Sequence, residues 1–146
     1  MASQAGKQEV LVESDFLFAL RKGDRHHSKV LRALGMHKNG VLSIKGLSSA
    51  IMDVRTVLYS IGLSLGDVED AFFLMDAKLA EYGVREFVPL ALSDAILAER
   101  MRSDEARLGF FDSLHAATSK RLKLKLLSSE GIYREVGSPV MDLNGL

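Results

Sequence analysis

The sequence predicts an α/β protein with a mostly parallel central sheet of four to five short strands, covered by helices on both faces as a three-layer α/β/α sandwich. Two observations favour this fold class. Short apolar segments of strand length alternate along the chain with longer segments of helical periodicity. The strand-like segments are almost continuously apolar, which is typical of strands buried on both faces. Such alternation gives a parallel sheet, because each helix returns the chain across the sheet before the next strand.

The predicted strands are short apolar runs. The first is "EVLVE" at 9–13, and the second is "GVLSI" at 40–44. The third is "REFVPL" at 85–90, whose proline marks the strand end because it has no N–H to donate to a neighbouring strand. "LKLLS" at 124–128 and "PVMDL" at 139–143 complete the set.

Helices are predicted between the strands from helical spacing and from capping residues. The first, "SDFLFALRKG", is capped by Ser14 or Asp15 and ends at Gly23, and the second, "RHHSKVLRALG", is capped by Asp24 and ends at Gly35. The later helices are predicted over 45–62 with Ile51 and Ile61 on the apolar face, after the caps Ser64 and Ser93, and from about Phe110 to Arg121.

Composition and charge exclude several classes of function. The chain of 146 residues has no cysteine, which excludes a disulfide framework, a thiolate metal site and a cysteine nucleophile. Its formal net charge is +0, so overall charge does not steer it toward nucleic acid or an anionic membrane. The start, "MASQAGKQEV", lacks an apolar signal core, and no apolar run is long enough to span a bilayer. We therefore expect a soluble, cytoplasmic protein.

One domain accounts for the chain, since no repeat, low-complexity segment or interior linker is visible. Residues 1–7 are small or polar and are expected to form a flexible tail, with 8–146 as the single domain. The scarcity of asparagine and glutamine, together with the lack of cysteine, suggests a heat-adapted source.

Several acidic residues stand where the predicted strands end or the following helices begin. Glu13 ends the first strand, Asp15 follows two residues later, and Glu130 follows the strand at 124–128. Asp112 lies in the first turn of its helix, whereas Asp53 lies within a helix between two apolar residues. Each has an ordinary alternative role, such as a helix cap, a partner of the helix dipole or a solvated turn residue.

Sites in open parallel sheets gather beyond the carboxyl ends of the strands, so these acids are expected to lie near one another. Clustered carboxylates repel, and such a cluster persists mainly where a cation neutralises it. Oxygen ligands without cysteine favour Mg²⁺ or Mn²⁺ over zinc.

The order of these motifs resembles the PIN-domain family, the metal-dependent ribonucleases that include the VapC-type toxins. The family begins with a strand that ends in an acid and a small hydroxyl residue, matched here by Glu13 and Ser14. A "D…H" pair that opens the second helix is matched by Asp24 and His27. The second acid of the family is matched by Asp53 in "IMDVRTVLYSIGLS".

The third and fourth acids of the resemblance lie near the C-terminal end. "FFDSLHAATS" matches the most specific motif of the family and assigns its acid to Asp112, and "LLSSEGIY" assigns the fourth to Glu130. The family usually has Asp at the first and fourth positions and Glu at the second, whereas this chain has Glu13, Glu130 and Asp53. Each exchange moves a carboxylate by one methylene, and Asp15 offers a further ligand near the first position.

The resemblance implies a PIN-like domain that hydrolyses RNA phosphodiester bonds with a metal-activated water. It implies one or two ions, Mg²⁺ or Mn²⁺, bound by Glu13, Asp53 and Asp112, with Asp15 or Glu130 completing the ligand set. Ser14 would orient a ligand or a water by hydrogen bonding. It also implies RNA as substrate, a homodimer and, for a toxin, a small antitoxin protein as partner.

Two alternatives stay open beside this hypothesis. A catalytically degenerate PIN-like module would keep the fold and use the pocket for protein contacts. A receiver-like phosphate-binding protein is less favoured, because no glycine-rich loop is present. His27 and His115 are interpreted as hydrogen-bonded structural residues. Two basic clusters offer local charge for RNA or are solvated faces: Arg21, Lys22, Arg25, His26, His27 and Lys29, and then Lys120, Arg121, Lys123 and Lys125.

Overall fold

A five-stranded sheet forms the centre of the fold in the computed structural model, which describes residues 7–146. Its order is β3-β2-β1-β4-β5, and every neighbouring pair is parallel, so the α/β prediction is confirmed. The predicted N-terminal tail lies outside the described residues except for Lys7. The strands are β1 (Gln8–Val12), β2 (Leu42–Leu47), β3 (Phe87–Val88), β4 (Lys125–Ser128) and β5 (Val140–Asp142).

Helices flank the sheet and follow the predicted order. They are α1 (Ser14–Phe18), α2 (His27–Lys38), α3 (Ser48–Ser60), α4 (Leu65–Glu81), α5 (Leu92–Asp104), α6 (Phe110–Leu122) and α7 (Ile132–Glu135), with a 3₁₀ turn at Leu143–Gly145. Among residues 7–146, no helix is both long and apolar enough to cross a membrane.

Some predicted helix boundaries are wrong. Helix α2 continues through Gly35 to Lys38, because its last turn packs on β2 and His37 Nδ1 accepts the backbone N–H of Ile44 at 2.9 Å. Strand β2 extends to Leu47 in register with β1, which delays α3 to Ser48. Ile51 on α3 and Ile61, the residue directly after it, are exposed rather than buried, and the buried apolar residues of α3 are Ala50, Val54 and Leu58.

Capping residues were predicted correctly in one case and wrongly in another. Ser64 Oγ accepts the backbone N–H of Asp67 and caps α4 as expected. Ser93 was predicted to cap α5, but the capping side chain is that of Asp94, which accepts the backbone N–H of Ala91. Asp94 is almost fully buried, because it also accepts hydrogen bonds from Arg121 Nε at 2.7 Å and from Thr118 Oγ1 at 2.9 Å.

The core lies on both sides of β1, the middle strand of the sheet. Val10, Leu11 and Val12 are 0–1 % exposed, as expected for a strand covered by helices on both faces. On α6, Ala116 and Ala117 are fully buried, and their small side chains let the helix pack closely. This packing places the first turn of α6 beside the carboxyl end of β1, where the candidate site lies.

Candidate metal centre

Glu13, the residue directly after β1, is the buried acid of the site. Its side chain is only 2 % exposed, and no basic group contacts it among the described residues. Burial, followed by the negative charge of Asp15, raises the pKa of Glu13 well above its ordinary value, and the charges of Asp112 and Glu130 raise it further. The carboxylate is therefore held in a position that a cation would stabilise.

Tyr133, from the short helix α7, connects two acids of the site. Its hydroxyl donates a hydrogen bond to Asp112 Oδ1 at 3.1 Å and lies 3.4 Å from Glu13 Oε2. The ring is completely buried. Burial, followed by the charge of Glu13, raises the pKa of Tyr133, so the phenol stays protonated and acts as a donor. Tyr133 was not predicted from the sequence, although it follows the predicted acid Glu130 by only three positions.

Asp53 reaches the site from α3 and is fixed by two neighbouring elements. Ser14 Oγ donates to Asp53 Oδ2 at 2.5 Å, and His115 Nε2 lies 3.4 Å from the same oxygen. Partial burial opposes ionisation, but the hydrogen bonds from His115 and Ser14 outweigh it and lower the pKa of Asp53. Asp53 is therefore a carboxylate at neutral pH, and Ser14 contacts it as the sequence analysis expected of an orienting residue.

His115 lies on the face of α6 that Asp112 also occupies, one turn further along. It is completely buried, and its Nδ1 lies 2.7 Å from Ser49 Oγ. One ring nitrogen of His115 and one carboxylate oxygen each of Glu13 and Asp112 all lie within 4.8 Å of one another. His115 is hydrogen-bonded, as interpreted from the sequence, and it also joins the group of side chains that could hold a metal ion. His27, the other histidine so interpreted, has its Nδ1 2.8 Å from the carbonyl oxygen of Ala19.

Asp15 and Glu130 form the outer part of the acid cluster. Both side chains are exposed, yet they lie close to each other and to the inner acids. Partial desolvation, followed by a hydrogen bond with Glu130 and by its charge, raises the pKa of Asp15 to about 6. All five predicted acids thus lie at the carboxyl edge of the sheet, with Glu13 and Asp112 inside, Asp53 beside them, and Asp15 and Glu130 at the mouth.

Glu13, Asp112 and His115, called the inner group below, have donor atoms that suit a divalent metal ion. Two carboxylates and an imidazole are common ligands of such ions, and three of their ligand atoms are already gathered. A metal would also relieve the repulsion that raises the pKa of Glu13. Glu13, Asp112 and His115 could therefore hold a divalent cation.

A groove of about 990 Å³ opens beside the acid cluster, and Asp15 and Glu130 form part of its wall. Its apolar lining comes mainly from α1, the end of α3 and one side of α4. Its basic lining comes from the segment that joins α1 to α2, which holds most of the first basic cluster. Representative lining residues are Leu17, Arg21, Arg25, Ile61, Leu74 and Met75.

The second basic cluster lies elsewhere. Arg121 pairs with Asp94, and Lys120 Nζ donates to the carbonyl of Val136 at 3.2 Å, so these two have structural contacts. Lys123 and Lys125 are exposed where α6 ends and β4 begins, at the opposite edge of the sheet from the acids.

Solved structures share this architecture over nearly the whole chain. A structure of VapBC2 from Rickettsia felis bound to a DNA fragment from their promoter superposes with a TM-score of 0.69 at 11% identity, covering 92% of this chain and 98% of that chain. FitAcB from Neisseria gonorrhoeae gives a TM-score of 0.66 at 16% identity, covering 94% of this chain and 99% of that chain. This is a PIN-domain fold.

The PIN-domain fold is also supported by PAE2754 from Pyrobaculum aerophilum, with a TM-score of 0.60 at 18% identity, covering 95% of this chain and 93% of that chain. No protein-family model and no curated protein matches the sequence. The likeness to known PIN-domain structures therefore concerns the fold.

Proposed function

We propose that the protein is a metal-dependent ribonuclease that hydrolyses RNA phosphodiester bonds by means of a metal-activated water. The observation that carries this proposal is the group of buried Glu13, half-buried Asp112 and buried His115 at the carboxyl edge of a PIN-domain sheet, with ligand atoms within 4.8 Å of one another. Carboxylates without a basic partner in such a place are explained by a cation, and a cation next to an open groove is suited to phosphate chemistry.

The acids have separable roles in this proposal. Glu13, Asp53 and Asp112 hold Mg²⁺ or Mn²⁺, and Asp15 or Glu130 completes the set at the mouth. A divalent ion bound there would lower the pKa of a bound water and so supply hydroxide near neutral pH. Tyr133 and Ser14 keep the carboxylates of Asp112 and Asp53 in place through their hydrogen bonds, and so prepare the site before a metal arrives.

RNA is the proposed substrate because cationic side chains stand next to the acids. Arg21, Lys22 and Arg25 line the groove whose wall includes Asp15 and Glu130. Phosphates bound by these residues would lie close to the carboxylates, and binding would weaken as the salt concentration increases.

The apolar part of the same groove supports a protein partner. Leu74 is 69% exposed on the groove wall although it is a large apolar residue. An amphipathic segment of a small antitoxin would cover this surface, which would make the protein the toxin of a toxin-antitoxin pair. A homodimer is also proposed, because Leu65 and Phe73 are 77% and 72% exposed on another side of α4.

The proposal is tested by incubating the purified protein with single-stranded and structured RNAs in Mg²⁺, Mn²⁺ or EDTA. We expect cleavage with metal, none in EDTA, and loss of cleavage in Asp112→Asn. Asp70→Asn, an exposed acid on α4 away from the site, is the matched control and should cleave like the wild type. Metal binding without cleavage of any RNA would favour the catalytically degenerate interaction module, for which the apolar groove is the supporting observation.

A further inference from the structure

His115 is the one member of the inner group that is not an acid, and its position needs a physical explanation. It is completely buried beside carboxylates, where a neutral imidazole gains nothing from hydration. Its separation from Asp112 is three residues along α6, so both side chains extend from one face of the helix toward Glu13.

The hydrogen bonds of the ring determine which nitrogen faces the acids. Nδ1 lies 2.7 Å from Ser49 Oγ, whereas Nε2 lies on the side of Asp53, 3.4 Å from Oδ2. With the proton on Nε2, the ring donates to Asp53. In the other tautomer Nδ1 donates to Ser49, and the lone pair of Nε2 is free to bind a metal. The longer of the two contacts is then the one that metal binding would replace.

Asp53 is held slightly apart from the inner group. Its Oδ2 accepts the short hydrogen bond from Ser14 and does not belong to the set of ligand atoms within 4.8 Å among the described residues. One ring nitrogen of His115 lies within 4.8 Å of a carboxylate oxygen of Glu13 and of Asp112 instead.

We propose that His115 Nε2 is a direct metal ligand together with Glu13 and Asp112, and that the site therefore prefers a transition-metal ion such as Mn²⁺ or Co²⁺ over Mg²⁺. This inference rests on the proposed metal-dependent function and specifies its cofactor. Mg²⁺ takes oxygen ligands almost exclusively, whereas transition ions accept an imidazole nitrogen readily. Asp53 then contacts the bound ion or its water while Ser14 keeps its hydrogen bond.

The direct test is pulsed electron paramagnetic resonance of the wild-type protein loaded with Mn²⁺. A coordinated imidazole gives a ¹⁴N hyperfine coupling that a carboxylate site lacks. Labelling the histidines with ¹⁵N should replace this coupling with a ¹⁵N coupling. His115→Leu should abolish the coupling, whereas His26→Gln, a change in another histidine near the mouth, should retain it. Melting temperatures measured at equal metal concentrations should increase more with Mn²⁺ than with Mg²⁺ in the wild type, and this difference should be lost in His115→Leu.

The outcomes separate this inference from the proposed activity. Bound Mn²⁺ without ¹⁴N coupling in the wild type overturns the inference even if RNA is cleaved, and leaves His115 as a hydrogen-bond partner of Asp53. Coupling without RNA cleavage supports the inference and removes the ribonuclease proposal. Absence of any Mn²⁺ binding overturns both. Because the wild-type spectrum is decisive, a failure of His115→Leu to fold would not affect the conclusion.

Discussion

Replacing Asp112 with asparagine should make the metal-free protein more stable, although it removes a group proposed to bind metal. The oxygens of Asp112 and Glu13 lie within 4.8 Å, and two full charges at that distance repel by about 3.5 kcal/mol at an effective dielectric constant of about 20. The gain in stability should be smaller than the repulsion between two full charges, because the raised pKa of Glu13 means that the folded protein relieves part of that repulsion by taking up a proton. Asparagine has nearly the same shape and retains the oxygen that accepts the hydrogen bond from Tyr133.

Bound metal should make the wild type more stable than Asp112→Asn, the reverse of the order expected without metal. An ion that binds only the folded state stabilises it by about 2.7 kcal/mol at a hundredfold excess over the dissociation constant. For a chain of 146 residues this corresponds to an increase of roughly 5 to 10 °C in melting temperature. Asp112→Asn should lose most of that increase, because it replaces a charged ligand by a neutral one.

The assay is thermal unfolding followed by circular dichroism, in EDTA and in a Mn²⁺ series, for the wild type, Asp112→Asn and the surface control Asp70→Asn. A single cooperative transition is expected, since 8–146 is proposed to be one domain. An equal response of wild type and Asp112→Asn to metal would refute the metal site. A variant no more stable than wild type in EDTA would refute the argument from charge repulsion.

Two further predictions concern other parts of the same acid cluster. In EDTA, the pKa of Asp15 in the folded protein is raised to about 6, and the pKa of Glu13 is also raised. The unfolded chain releases both of these protons near pH 4. The free energy of unfolding of the wild type should therefore fall as pH increases from 4 to 7. Urea unfolding over this range should show Asp15→Asn becoming more stable than the wild type, by about 1 kcal/mol at pH 7, because solvent screens part of the charge effect. Tyr133→Phe should be less stable than wild type by about 1.5–3 kcal/mol in the same assay, because a charged acceptor loses its buried donor, and an unchanged value would contradict the assigned hydrogen bond.

The fold class could be predicted from the sequence, because strands that are covered by helices on both faces are short, continuously apolar segments and are visible as such in the sequence. Boundaries were less predictable where tertiary pairing decided them. Gly46 lies within the helix predicted over 45–62, yet it belongs to β2, where a side chain would meet the ring of Phe87 at 2.2 Å. Gly35 reads as a helix end, yet α2 continues because its last turn contacts the sheet.

The candidate site was predictable to the extent that it depends on strand ends. Glu13, Asp112 and Glu130 occupy positions that a parallel sheet brings to one edge, so their proximity follows from the topology. The contributions of Tyr133 and His115 could not be predicted in this way. Their partners are 120 and 66 residues away in the chain, at Glu13 and Ser49, and only the packing of α7 and α3 brings them together.

The shortened acid at position 53 contacts the histidine of α6, since His115 Nε2 lies 3.4 Å from Asp53 Oδ2. The family that the sequence resembles usually has glutamate where this chain has Asp53, and a carboxylate shorter by one methylene reaches less far toward Glu13 and Asp112. The imidazole of His115 offers a nitrogen donor beside the shortened acid, and Ser49 and Ser14 contact the histidine and Asp53. A ligand set with a nitrogen donor beside its carboxylates should favour a transition-metal ion, and the ¹⁴N coupling of bound Mn²⁺ tests for that nitrogen directly.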